Sequence, residues 1–302
     1  MRIVHLSDIH FWQYEFHPLR LFSKRLIGMS SLLLGRARRF RLERVPELVE
    51  YVRSLAPDHL LITGDLTTTA LPAEFRAARA ALKDLLDEPA RVTIVPGNHD
   101  RYTLRAHRSR RFEEYLGDFS PGRSYPWLRM LEEGTAILGL DPTRPDISAR
   151  GKLPRAQLIR AQEVMANAEG VARLLIACHY PVAAPPEHQR EYARKPLVNA
   201  GEVGQWLSTI GPHLFCCGHV HAAWAFQPES IPNQLCLNPG APLLRERAGH
   251  RLPGFLEILL ETGDVTVHHH AWTGESWRVR LLHFARDFFP PPLGAENGRS
   301  PT

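Results

Sequence analysis

Met1-Arg2-Ile3-Val4-His5-Leu6-Ser7-Asp8-Ile9-His10 opens the chain: a strand-like apolar run that turns abruptly into a carboxylate and an imidazole two positions apart. The same figure returns further along. Residues 60–63 lead into Gly64-Asp65, 92–95 into Gly97-Asn98-His99-Asp100, 174–177 into Cys178-His179-Tyr180-Pro181, and 214–217 into Gly218-His219-Val220-His221. Short apolar runs of this kind suit strands covered on both faces. Segments with helical spacing separate them: Val45, Leu48, Val49, Val52 and Leu55; an alanine- and leucine-rich stretch over 72–87; and Leu158, Ile159, Val164 and Met165 within 154–168. Strand–helix alternation predicts an α/β sheet core. Ligands of such a core bind beyond the carboxyl ends of its strands, so the polar clusters are expected to meet along one edge. After residue 220 the texture changes, and 255–260 with 265–271 around Thr262-Gly263 read as a hairpin.

With 302 residues, 44% hydrophobic and 23% charged, the chain is ordinary for a globular protein, which excludes fibrous and disordered classes and predicts one domain with elaborations. No apolar run approaches the ~20 residues that cross a bilayer. The opening also lacks a charged-then-apolar leader, so a cytoplasmic location is expected, at most peripheral on the inner face of the membrane. Cys178, Cys216, Cys217 and Cys236 have no C-x-x-C spacing and are expected to be free, buried thiols. The net charge of +5 is unevenly placed: residues 17–44 carry +7 and 101–111 carry +5, leaving −7 for the rest. Such basicity belongs to a place in the molecule.

The polar clusters pool two Asp, one Asn and four His without a thiolate (Asp8, His10, Asp65, Asn98, His179, His219, His221). That oxygen and nitrogen set suits divalent ions such as manganese, iron or zinc, and not a closed thiolate zinc site. Each motif alone is weak: Gly64-Asp65 by itself reads as a turn, and a single histidine after a strand as a capped or core residue. Together, five strand ends rich in ligand types have no common structural explanation.

The ordered set D-x-H, G-D, G-N-H-D, H and G-H-x-H resembles the calcineurin-like metallophosphoesterase superfamily over residues 1 to about 245. The resemblance implies a sandwich of two β-sheets flanked by helices and a dinuclear metal site. It implies that Asp8, His10, Asp65 and His221 hold one ion and Asp65, Asn98, His179 and His219 the other, with Asp65 bridging. Manganese is the first expectation, iron or zinc the next. It further implies that His99 faces the substrate and that Asp100 orients it. An imidazole of ordinary pKa near ~6.5 suits proton donation to a leaving oxygen. Leu140-Asp141 and Gly151-Lys152-Leu153-Pro154-Arg155-Ala156-Gln157-Leu158 are similar to the spacer of the family's cyclic-nucleotide phosphodiesterases.

The sequence departs from small members of that family at 13–43, a basic amphipathic insertion just beyond His10. It is expected either to lie on an anionic membrane surface or to pack as a cap. Its similarity to insertions in UDP-diacylglucosamine pyrophosphatases of lipid A biosynthesis adds a lipid-linked diphosphate to the expected substrates. A cyclic nucleotide is the alternative, and a non-catalytic scaffold on the same fold the alternative of another class. The arginines of 101–111 suggest phosphate capture, whereas nucleic acid is disfavoured because no recognition motif accompanies them. His268-His269-His270 reads as a poor chelate, because neighbours on a strand point to opposite faces. The domain is expected to span 1–286, followed by a flexible tail over 287–302.

Overall fold

A computed structural model describes residues 1–13, 39–145, 149–245 and 252–289. Two mixed six-stranded sheets pack face to face, with helices on their outer surfaces. The first sheet runs β12-β11-β10-β1-β2-β3, built from β1 (Arg2–Leu6), β2 (His59–Ile62), β3 (Val92–Ile94), β10 (Gly254–Leu260), β11 (Val265–Trp272) and β12 (Trp277–Ala285). The second runs β4-β5-β6-β7-β9-β8, from β4 (Trp127–Met130), β5 (Thr135–Gly139), β6 (Arg173–Ala177), β7 (His213–Cys216), β8 (Ala223–Phe226) and β9 (Gln234–Pro239). Strands β1, β2 and β3 are parallel, as are β5, β6, β7 and β9.

Side-chain alternation sorts these strands into layers. Ile3, Leu61, Ile137, Leu175, Leu214 and Leu256 fill the space between the sheets. Val4, Leu6, Leu60 and Ile62 point out to the helix Val45–Ser54 and the helix Pro72–Ala81, while Leu138, Leu174, Ile176 and Phe215 point out to the helices Arg155–Ala166 and Ala200–Leu207. All four cysteines are buried and free.

Phe289 is 2% exposed within the inter-sheet core, and its backbone N–H donates to Gly263 O at 3.0 Å. Phe289, three residues beyond the expected domain end at 286, thus packs with the core. Of the expected insertion, residues 14–38 lie outside the described residues, as do 290–302 of the expected tail. The described end of the insertion packs on the core: Phe40 forms an antiparallel bridge with Leu244, flanked by Arg41 N to Leu243 O (2.8 Å) and Arg245 N to Arg39 O (2.6 Å).

Candidate metal centre

Strands β1, β2, β3, β6 and β7 end along one edge, and the loops after β1, β2 and β7 are turned by backbone of positive φ. Asp8, His10, Asp65, His219 and His221 all adopt positive φ, between 53° and 72°. Aspartate and histidine tolerate this left-handed region better than most residues, yet each such position costs on the order of 1–3 kcal/mol and persists only when its surroundings hold it. The surroundings here are backbone ladders: Asp8 N and His10 N donate to Gly64 O and Asp65 O at 3.0 Å each, and Gly218 N donates to His179 O at 2.9 Å. Glycine is required at Gly97, where a Cβ would collide with the Asp65 carboxylate. Gly64, at φ 91°, brings the two loops together at the same point.

The turned-in side chains form two groups that share one member. Asp8, His10, Asp65 and His221 each offer an atom within 4.8 Å of the others, and Asp65, His179 and His219 do the same. His221 Nε2 lies 3.0 Å from Asp8 Oδ1, His10 Nε2 lies 3.2 Å from His221 Nε2 and 3.7 Å from Asp65 Oδ2, and His179 Nε2 lies 3.3 Å from Asp65 Oδ2. On the second group, His219 Nδ1 is 3.2 Å from His179 Nε2. Asp8, His10 and Asp65 come from the first sheet and His179, His219 and His221 from the second, so the centre exists only because the sheets face each other.

Backbone carbonyls set the ring orientations. His179 Nδ1 donates to Thr63 O (2.7 Å), which turns Nε2 toward Asp65. His219 Nε2 donates to Lys195 O (3.1 Å), leaving Nδ1 pointing the same way. Such outer contacts fix the tautomer a metal-binding histidine needs. The remaining oxygens of the carboxylates are held as well: His219 N donates to Asp8 Oδ2 (2.9 Å) and His99 N to Asp65 Oδ1 (2.8 Å).

The charges fit a cation. Burial opposes ionisation of Asp65, but His179, His99 and His10 together hold its carboxyl well below the usual carboxylate range. Burial also opposes a charged His179, yet Asp65 pushes it up to about 9. Burial, then the neighbouring His179, hold His219 well below the ordinary imidazole range. Asn98 is 2% exposed and its Oδ1 has no hydrogen-bond partner in the structure, a cost that a cation would remove. Two carboxylates, an amide oxygen and four imidazoles accordingly fit a pair of divalent ions.

His99 and Asp100 depart in detail from expectation. His99 is 6% exposed, stands edge-on to His10 with ring centres 5.0 Å apart, and donates from Nδ1 to Thr68 O at 2.6 Å. Its ring is therefore oriented by that carbonyl. Asp100 accepts instead from Thr67 N (2.9 Å), Thr67 Oγ1 (3.0 Å) and Gly97 N (3.0 Å), so it braces the loops on either side of His99. Burial, then Asp65, push its carboxyl up to about 6. The arginine run is likewise not uniform. Arg101 is 4% exposed and locked between Glu113 (2.7 Å) and Asp141 (2.9 Å), which removes it from phosphate capture and ties the loop after β3 to the loop after β5. Arg105 and Arg108 are exposed.

Sequence reasoning missed Phe40, whose ring centre lies 4.5 Å from that of His10 and 5.8 Å from that of His221. It also missed Tyr180, 4.3 Å from His219 by the same measure. Of the three consecutive histidines, His268 and His270 face Glu257 from one side of β11, at 3.2 Å and 3.3 Å, while His269 is buried on the other. They join no metal-sized group among the described residues.

Comparison with known proteins agrees with the geometry. A family model described as calcineurin-like phosphoesterase matches residues 1–223. A cAMP/cGMP dual specificity phosphodiesterase of Mycobacterium tuberculosis is 25% identical over 242 residues, which cover 78% of this chain and 67% of that one. A dimetal phosphatase from Danio rerio superposes with TM-score 0.61 at 13% identity, covering 93% of this chain and 99% of that one. A purple acid phosphatase from yellow lupin (Lupinus luteus) seeds superposes with TM-score 0.58 at 10% identity, covering 92% of this chain and 52% of that one. At such identities the structural likeness establishes the fold.

Proposed function

The chain belongs to the calcineurin-like phosphoesterase family of metal-dependent phosphoester hydrolases, and on that premise we propose that it hydrolyses a phosphodiester at a two-ion centre. One ion would be held by Asp8, His10, Asp65 and His221, the other by Asp65, Asn98, His179 and His219. The observation that carries the reading is that both ligand groups converge on Asp65, 1% exposed, whose Oδ2 sits between His10 at 3.7 Å and His179 at 3.3 Å. When bound, two divalent ions supply activated water at neutral pH and charge neutralisation on the phosphoryl group.

The protein's own groups do the rest. His99 stands next to His10, its ring oriented by the bond from Nδ1 to Thr68 O, and is the group assigned to give a proton to the leaving oxygen. Phe40 covers the His10 and His221 rings and keeps water from one flank.

We take a cyclic nucleotide as the substrate class, supported by the mycobacterial phosphodiesterase relative. The lipid-linked diphosphate reading rests on the 13–43 insertion, most of which lies outside the described residues. Manganese-loaded protein should be offered a cyclic nucleotide, a nucleotide-sugar diphosphate lipid and an aryl phosphodiester. Turnover of the cyclic nucleotide at the highest kcat/KM supports the reading; preference for the diphosphate lipid overturns it.

A further inference from the structure

Asn98 sits on the turn after β3, in the first sheet, yet its group partners His179 and His219 come from the second sheet. Its Oδ1 makes no hydrogen bond, so its aim depends on the turn that carries the residue. Strand β3 fixes that turn poorly, being three residues long and at the edge of its sheet. The two residues that close the turn anchor it instead, in opposite directions. Asp100, through Thr67 N (2.9 Å) and Gly97 N (3.0 Å), ties it to the loop after β2 in the same sheet. Arg101 reaches the other sheet: its Nε and Nη2 meet Asp141 Oδ2 at 3.0 and 2.9 Å, while Nη1 and Nη2 meet Glu113 at 3.1 and 2.7 Å.

Asp141 is a fixed point of the second sheet. Its Oδ1 accepts from Thr143 N (2.9 Å), and its backbone N–H and C=O both bond the Gln157 side chain (2.8 and 3.0 Å). The preceding Leu140 N donates to Ala177 O (2.9 Å), two residues before His179. The route from Asn98 to His179 is therefore short: three residues of turn, a guanidinium, a carboxylate and one backbone bond. The side chains of Arg101 and Asp141 are only 5% and 10% exposed. Desolvation offsets much of the attraction in such a pair, so it is weak evidence for stability. What a planar guanidinium fork on a carboxylate does give is a fixed geometry between the elements that carry them. We propose that Arg101 is a positioning residue for the second ion: through Asp141 it sets the distance between the Asn98 amide oxygen and the His179 and His219 imidazoles. The first group, Asp8, His10, Asp65 and His221, draws no ligand from this turn.

The proposal rests on the two-ion reading, and the test keeps the two apart. Metal-stripped full-length protein is titrated with zinc by calorimetry, and thermal unfolding of the same stripped samples is recorded. Asp141→Asn keeps an acceptor for Thr143 N but loses the charge that grips the guanidinium. It is expected to weaken the second ion roughly tenfold to a hundredfold, as loss of an outer contact to a ligand does, with the first changed by less than about twofold. Glu113→Gln takes an equal charge from the same guanidinium and leaves the tie between the two loops. Whatever it does to the unfolding temperature, both ions should bind as in the parent. Asn98→Ala should show the same weakened second ion, and adding Asp141→Asn to it should cost nothing further, because residues acting through one contact are not additive. Should Asp141→Asn fail to fold, Arg101→Lys, which keeps the charge without the planar fork, is read in the same way. Parent-like binding of both ions, equal weakening of both, a like effect in Glu113→Gln, or an undiminished loss in the Asn98→Ala background would overturn the proposal and leave the two-ion reading standing. Saturation of the parent at a single ion would overturn both.

Discussion

At the scale of the residue, Asp65 carries more than any other side chain, because one carboxylate stands in both ligand groups. Asp65→Ala is expected to lower phosphodiesterase activity to background and to lower the affinity for both ions together, read as metal content after dialysis. Retention of one tightly held ion would show that the groups are independent. His99→Ala should keep both ions yet slow hydrolysis by ~10²–10⁴, with a smaller loss for esters whose leaving groups need no proton. Equal losses across a leaving-group series would assign His99 to substrate positioning alone. The six residues that the fold gathers into the two groups are legible in the sequence, because each follows an apolar run that has no other reason to end in Asp or His. What sets the rings of His179, His219 and His99 is not legible. Thr63 O, Thr68 O and Lys195 O are backbone carbonyls, which leave no trace in residue identity. The lock on Arg101 was hidden for a related reason: Glu113 and Asp141 lie 12 and 40 positions away, and only the fold pairs them.

At the scale of the element, β1, β2 and β3 of the first sheet were readable because they are short and mostly apolar. In the second sheet β6 and β7 were equally plain, but β4 and β8 were not, since they are four-residue antiparallel edge strands with partly exposed side chains. Strand β12, at one edge of the first sheet, escaped because its side chains are largely exposed, Arg278, Val279, Arg280 and Leu281 among them. The apolar strands also carry two histidines that the core holds neutral. His5 on β1 pairs with Thr63 Oγ1 and His59 on β2 with Thr93 Oγ1, and burial pushes both imidazoles down to about 3, for His59 with help from Arg129 and Arg91. A base whose folded-state pKa lies below its unfolded value near 6.5 lends full stability above 6.5 and loses it as pH falls toward the folded value. Each histidine should therefore cost up to ~2 kcal/mol of stability by pH 5. Urea unfolding of metal-free protein at pH 7.5 and pH 5 should show that loss. His59→Gln should flatten the difference, and an equal pH dependence in parent and variant would contradict the assignment.

At the scale of the whole molecule, the sandwich is what makes the site, because each sheet alone brings an incomplete ligand set to the shared edge. No helix among the described residues is long and apolar enough to cross a membrane. The +7 charge over residues 17–44 nonetheless gives an expected outcome with anionic vesicles. Sedimentation with them should weaken as salt rises, since screening shortens from ~10 Å at 0.1 M to ~3 Å at 1 M. Replacing Arg36, Arg38, Arg39 and Arg41 with glutamine should reduce it while sparing a small soluble diester. Vesicle binding indifferent to both changes would remove the electrostatic account. The measurement that bears most directly on the central claim is a titration of metal-stripped, folded protein with manganese, following bound ions and diester hydrolysis in the same samples. Two ions bound per chain at saturation, with no hydrolysis in excess chelator and activity rising as the second site fills, is the predicted result; full turnover by the metal-free protein, or saturation at a single ion, would contradict it.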